Sequence, residues 1–270
     1  MRRWSLEPAG LVLADKQSGP SSFALVRELR NRTGARAGHA GTLDPFATGL
    51  LLVLLGAATR LAQYLVGLDK RYETAIDLRG RTSTGDREGE MVEEREPPAA
   101  AELEATLARL RGDVTLRVPA ASAVKIDGER AYKLARRGVE VEMPVRTTTV
   151  HELVLEGYRD GVATLSLHVS SGTYVRAIAD ALGGHCVDLR RTAVGAFRVE
   201  DADLEAVLPP AAALPHLDAV GLTEEQAAAV RSGRAVPGEA EGLVRLEHDG
   251  RLVAVARGAD GSLHPETVLP

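Results

Sequence analysis

The chain is short of the residues that would commit it to an oxidising compartment, a membrane or a metal. It has one cysteine, Cys186, so no internal disulfide can form and a cytoplasmic setting is expected. Its longest apolar run, Leu50 to Leu55, is far too short to span a bilayer, so no membrane partner is expected. No signal peptide is read at the N-terminus, where no apolar stretch follows the two arginines. Metal ligands in their usual spacings are missing: His185 and Cys186 are adjacent, and His39, His151 and His168 are scattered. No Walker loop and no Gly-x-Gly-x-x-Gly after a strand is present, so neither metal nor cofactor is expected. Aromatics are 3% of 270 residues, which leaves the core to Leu, Val and Ala and the few rings free for specific work.

Excess positive charge is also missing. The formal net charge is -5, which weighs mildly against a nucleic-acid partner. The distribution weighs the other way. Arg27, Arg30, Arg32 and Arg36 crowd one segment, Lys70, Arg71, Arg79 and Arg81 a second, and Lys133, Arg136 and Arg137 a third. The acids gather in Glu88 to Glu104 and after Glu224. Such segregation permits a basic groove on an acidic protein; solvated helix faces are the plainer alternative.

What is present reads as a mixed α+β chain with a largely antiparallel sheet flanked by helices, followed by a small β-rich C-terminal module. Strands are expected at 9–14, 50–55, 72–78, 145–158, 162–169 and 194–199, with a hairpin turn at Asp160-Gly161. Helices are expected from Ser21 or Ser22 to Asn31 with Phe23, Val26 and Leu29 on the apolar side, and over 57–66, 99–111 and 174–182. Residues 83–98 read as a polar surface excursion. After Asp203 an Ala-rich helix and a linker lead to a helix from Thr223 and two strands around Asp249-Gly250. Domain limits are placed at 1–212 and 218–270.

Four segments carry chemistry. Gly38 to Gly49 holds three glycines, a proline and two threonines, a shaped loop around Asp44 with His39 five residues before it. The Asp-Pro step favours an extended Asp44, whose carboxylate either stands proud of the loop or caps its amides. Lys70-Arg71-Tyr72 opens a strand, and Tyr72 is either a sheet residue or a stacking platform for a base. In Ser171 to Arg176, Arg176 falls in a helix's first turn, where the dipole disfavours a cation; a carboxylate partner is therefore expected. Ser122-x-x-Lys125 has the spacing of serine acyl enzymes, but the accompanying Ser-Asp-Asn and Lys-Thr-Gly are absent. A basic, glycine-hinged segment at about 119–147 reaching over a polyanion fits better.

In this order the segments resemble the bacterial tRNA pseudouridine synthase B family over nearly the whole chain. The loop 38–49 is similar to that family's signature around its catalytic aspartate, and Lys70-Arg71-Tyr72 to its second motif. Ser122 to Arg136, Ser171 to Arg176, and Leu189-Arg190-Arg191-Thr192 with Gly195 and Phe197 complete the set. The resemblance implies a uridine-to-pseudouridine isomerase acting on the T-arm stem-loop of tRNA at position 55, without cofactor, as a monomer. It implies Asp44 as catalytic carboxylate, Tyr72 stacked on the uracil, and Arg176 paired with Asp44. Tyr174 and Leu189 would line the pocket, His39 would fill the gap left by the flipped uridine, and Lys16 would brace the site. Lys125 and Arg136 would grip RNA, helped by a PUA-like module over 218–270. The chain departs from the family at Gln17, Pro20, Arg117 and Ala120.

Overall fold

The computed structural model describes residues 8–122, 124–126, 128–131 and 142–270. The chain forms two compact units: 1–45, 49–66 and 195–270 in one, 46–48 and 67–194 in the other.

In the first unit the apolar run extends into the strand Thr48–Leu55, in which every residue from Leu50 on is fully buried. It pairs antiparallel with Gly10–Lys16, in a register that sets Lys16 against Gly49, and with Ala37–His39. The helix Ser22–Thr33 covers this strand group through Val26 and Leu29, which pack with Val12, Ala14, Leu51 and Val53. Ser21 is its N-cap, and Gly34 ends it in the left-handed region at φ 74°. Phe23 does not join this core: it is 64% exposed, on the helix's outer side.

Residues 218–270 build a five-stranded sheet with Asp218–Gly221 parallel to Gly242–His248 and the other neighbours antiparallel. The helix Glu224–Arg231, held by a Thr223/Gln226 capping box, closes its core of Leu222, Val230, Leu246 and Leu263. This sheet is tied to the short helix Ala62–Val66, where the Tyr64 hydroxyl lies 2.8 Å from Thr267 Oγ1. Asp260-Gly261 makes the same positive-φ turn as Asp249-Gly250, and joins Arg251–Ala259 to a strand, Ser262–Val268, that the sequence reading had overlooked. The expected Ala-rich helix is one 3-10 turn, Pro210–Ala213, because prolines on either side restrict it.

The second unit is built around antiparallel strands in the order His185–Val194, Lys70–Asp77, Val162–Val169, Val145–Arg159, Gly112–Arg117. The Asp160-Gly161 hairpin forms as expected, with φ of 50° and 78°. The expected strand at 194–199 is corrected: the long strand is His185–Val194, and only Phe197–Arg198 is extended beyond it. No helix among the described residues is long and apolar enough to cross a membrane.

Candidate active site

The first unit supplies Lys16, His39 and Asp44. Lys16 is 1% exposed, and its ammonium donates to the carbonyls of Gln17 and Pro45, each at 3.0 Å. A buried ammonium held by the carbonyl of the residue after Asp44 ties the loop to the strand Gly10–Lys16. Ser22 was read only as a possible cap, yet it does more. It is buried, its hydroxyl donates to Leu43 O at 3.0 Å, and it accepts from Leu43 N at 2.8 Å. The residue before Asp44 is thus clamped on both backbone groups by one side chain. Asp44 itself is half-buried, and His39 sits in a strand opposite Val53.

Removing this clamp leaves two buried backbone groups of Leu43 unsatisfied. Ser22→Ala is therefore expected to cost about 1–3 kcal/mol of stability by denaturant titration. It is also expected to lower kcat more than it changes KM, since Asp44 loses its fixed position.

The second unit supplies Tyr72, Tyr174, Arg176 and Leu189. Tyr72 pairs with Leu167 on one side and Arg191 on the other, and Leu189 pairs with Thr74. Residues opposite one another, or two apart, share a sheet face, so Tyr72 and Leu189 lie on the same face as diagonal neighbours. Both are buried, at 8% and 4% exposure. Tyr174 precedes the helix Val175–Ala181 and packs against Val118, Ala131 and Met143.

Arg176 has the carboxylate partner that its place in the helix's first turn demands. It is 2% exposed, and its guanidinium donates to Thr84 O at 2.7 Å and Ala121 O at 2.9 Å, with Asp86 Oδ2 at 3.7 Å. Asp86 is itself buried and accepts from Thr84 Oγ1 and Glu88 N. The segment 83–90 is sewn to the strand His185–Val194 at Cys186, which donates to Gly85 O and accepts from Arg87 N. Gly85 has φ 74°, and a Cβ there would lie 3.4 Å from Arg176 Cβ, so the turn fits closely over the arginine. Residues 83–98 are therefore only partly the expected surface excursion, and Asp86, which the sequence did not single out, is the buried carboxylate facing Arg176. The signal available was one aspartate in a Thr-Gly-Asp turn within an acidic stretch.

Lys70 is buried beneath the same sheet end and donates to Leu68 O at 2.5 Å and to Ser171 Oγ at 3.1 Å, which ties the Tyr72 strand to the segment leading to Tyr174 and Arg176. Burial, with the Arg191 charge adding to it, pulls its ammonium down to about 8. The folded state thus penalises the charged form. That penalty is complete below about pH 8 and disappears as pH rises toward the unfolded value near 10.5. Stability from this group should rise across that window by roughly 3 kcal/mol, and a Lys70→Met variant should lack the rise in denaturant titrations.

The basic clusters are less free than their sequence suggests. Arg71, Arg79 and Arg81 are paired with Glu152, Asp77 and Glu93, and Arg32 with Glu205. Arg27, Arg30 and Arg36 remain exposed. Arg136 lies outside the described residues, as do Lys133 and Arg137, and Lys125 is placed only as backbone in the short strand Lys125–Ile126. Ser122 is 4% exposed, which leaves its hydroxyl poorly placed as an acyl-transfer nucleophile.

Comparison with known proteins adds a consistent result. Residues 27–175 match the family model described as TruB family pseudouridylate synthase (N terminal domain). Residues 219–269 match the one described as pseudouridine synthase II TruB, C-terminal. The chain is 40% identical to the tRNA pseudouridine synthase B of Parasynechococcus marenigrum, over 97% of its own length and 98% of the relative's. It is 39% identical to the protein of the same name from Thermobifida fusca, over 96% and 98%. Among solved structures, a Cbf5-Nop10-Gar1 complex aligns with a TM-score of 0.74 at 24% identity, covering 97% of this chain and 85% of that one. At that identity the likeness concerns the fold.

Proposed function

Because the chain belongs to the TruB family of pseudouridylate synthases, whose function is to isomerise uridine to pseudouridine in tRNA, we infer that its target is the T-loop uridine at position 55 and that Asp44 is the catalytic carboxylate. The observation that carries this reading is the clamped loop: Lys16 and Ser22 fix the backbone on either side of Asp44, itself half-buried.

The reaction breaks the N1–C1′ bond, turns the uracil, forms the C5–C1′ bond, and removes the C5 proton while the freed N1 takes one up. Reactant and product are isomers. Such chemistry asks for a carboxylate near the ribose, a close pocket that keeps the free uracil from escaping, and an acceptor for the last proton. Asp44 is the carboxylate. Tyr72 offers a ring for stacking and a hydroxyl for proton handling. Tyr174 and Leu189 line the uracil pocket. Arg176 carries the charge that would keep Asp44 ionised, with Asp86 and the two carbonyls fixing the guanidinium's plane.

The target base must leave its stack, at a cost of a few kcal/mol. In this reading His39 fills the gap left by the base, while exposed Arg27, Arg30 and Arg36, together with Lys125 and Arg136, meet phosphates. The 218–270 module grips RNA as a PUA-like domain. In this reading the enzyme acts as a monomer, and the isomerisation itself draws on no metal or cofactor.

The test is chemical mapping of pseudouridine in an unmodified tRNA transcript incubated with the purified chain. Conversion at the T-loop uridine is expected. Conversion confined to other uridines would reject the assigned position.

A further inference from the structure

Three side chains at one end of the second unit's sheet stand apart from the site described above. His151 and His168 lie on adjacent strands, Val145–Arg159 and Val162–Val169, and Asp69 immediately precedes Lys70–Asp77 on the far side of His168. A register shift between Val150 and Glu152 makes His151 the extra residue of a β-bulge, which turns its ring toward the neighbouring strand. The two imidazoles are 4.7 Å apart between centroids. Asp69 Oδ2 lies 3.2 Å from His151 Nε2 and 3.8 Å from His168 Nε2, and all three donor atoms fall within 4.8 Å of one another.

We propose that Asp69, His151 and His168 form a binding site for a divalent transition-metal ion of the zinc class, with the two Nε2 atoms and one carboxylate oxygen as ligands and water completing the shell. In a tetrahedral shell with bonds of about 2.0–2.1 Å, neighbouring ligand atoms stand about 3.3 Å apart, and the two carboxylate–imidazole distances lie on either side of that value. Two imidazoles and one carboxylate suit borderline ions better than Mg2+ or Ca2+, which prefer all-oxygen shells. The three side chains keep solvent access, with exposures of 43%, 36% and 25%, so an ion can enter without unfolding the sheet.

Arg71 is the competing group. Its Nη2 lies 3.3 Å from His168 Nδ1, and a guanidinium can only donate, so in the metal-free protein Nδ1 accepts and the ring proton sits on Nε2. Metal binding moves that proton to Nδ1 and releases Arg71 to its 2.7 Å partner Glu152. The ion would join two strands to the residue that opens a third, beside Lys70 at the start of the strand that carries Tyr72 and beside Val169 at the end of its neighbour, tightening that end of the sheet.

The experiment titrates Zn2+ into the chelator-stripped full chain by calorimetry at neutral pH, with thermal unfolding followed in parallel. One saturable ion per chain and a raised Tm are expected, together with tetrahedral d–d absorption when Co2+ is used instead. His151→Ala/His168→Ala should lose both the heat and the Tm shift. Asp69→Asn, a milder change at an exposed position, should weaken binding while the fold is kept. Arg71→Met should tighten it. No saturable binding by the unaltered chain, or equal binding by the double variant, would overturn the proposal.

Discussion

Asp44→Asn is expected to lower kcat for pseudouridine formation by at least about ten-thousandfold, the scale of losing a covalent or proton-transferring centre. Affinity for tRNA should stay within a small factor. The amide has the shape of the carboxylate but neither its charge nor its nucleophilicity. The loop should survive the change, because its clamps, Lys16 to Pro45 O and Ser22 to both backbone groups of Leu43, do not use the Asp44 side chain. Single-turnover kinetics beside a filter-binding assay separate the two quantities. An Asn variant that keeps a tenth of the activity would remove Asp44 from the chemistry.

The second large effect concerns Arg176. Its guanidinium is fully buried between two carbonyls and the buried Asp86. Arg176→Met deletes the cation and leaves that carboxylate without its compensating charge. Removing one member of a buried pair costs about 3–5 kcal/mol, so a clear fall in the denaturation midpoint should accompany a loss of activity. Arg176→Lys should recover part of the stability and little of the rate, since one ammonium cannot reproduce a planar fork that donates to two carbonyls while facing Asp86. Asp86→Asn offers a finer probe: it removes only the charge, and a fall in kcat with a near-normal midpoint would mark Asp86 as orienting the arginine. Full activity in Arg176→Met would contradict the proposed role.

Local rules were legible where they acted alone. Leu50 to Leu55 reads as a buried strand because it is apolar on both faces, and it is one. Asp160-Gly161 reads as a hairpin because two positive φ values suit that dipeptide, and they are found. The strand His185–Val194 was not legible. Its centre, Asp188 to Thr192, is mostly polar and charged, yet Arg191 is only 1% exposed, and its pairing opposite Tyr72 is made with a strand more than a hundred residues earlier, which its own pattern does not signal. Gly112–Arg117 is similar: its residues are mostly exposed, and only its pairing with Val145–Arg159 makes it a strand.

In the candidate site, motif order pointed to Asp44, Tyr72, Tyr174 and Arg176. It did not reveal what holds them. Ser22 acts across 21 residues on Leu43, and Asp86 reaches Arg176 across 90, through a turn anchored at Cys186. Nothing in their own neighbourhoods distinguishes that serine from a helix cap or that aspartate from a solvated acid. The same distance hid the meeting of His151 with His168, whose spacing in sequence matches no ligand motif.

The most direct measurement is release of tritium from a T-loop RNA labelled at C5 of its target uridine. Forming the C5–C1′ bond obliges that proton to leave. The account predicts stoichiometric release by the unaltered chain and background release by Asp44→Asn. A chain that binds the RNA and releases no tritium would contradict it.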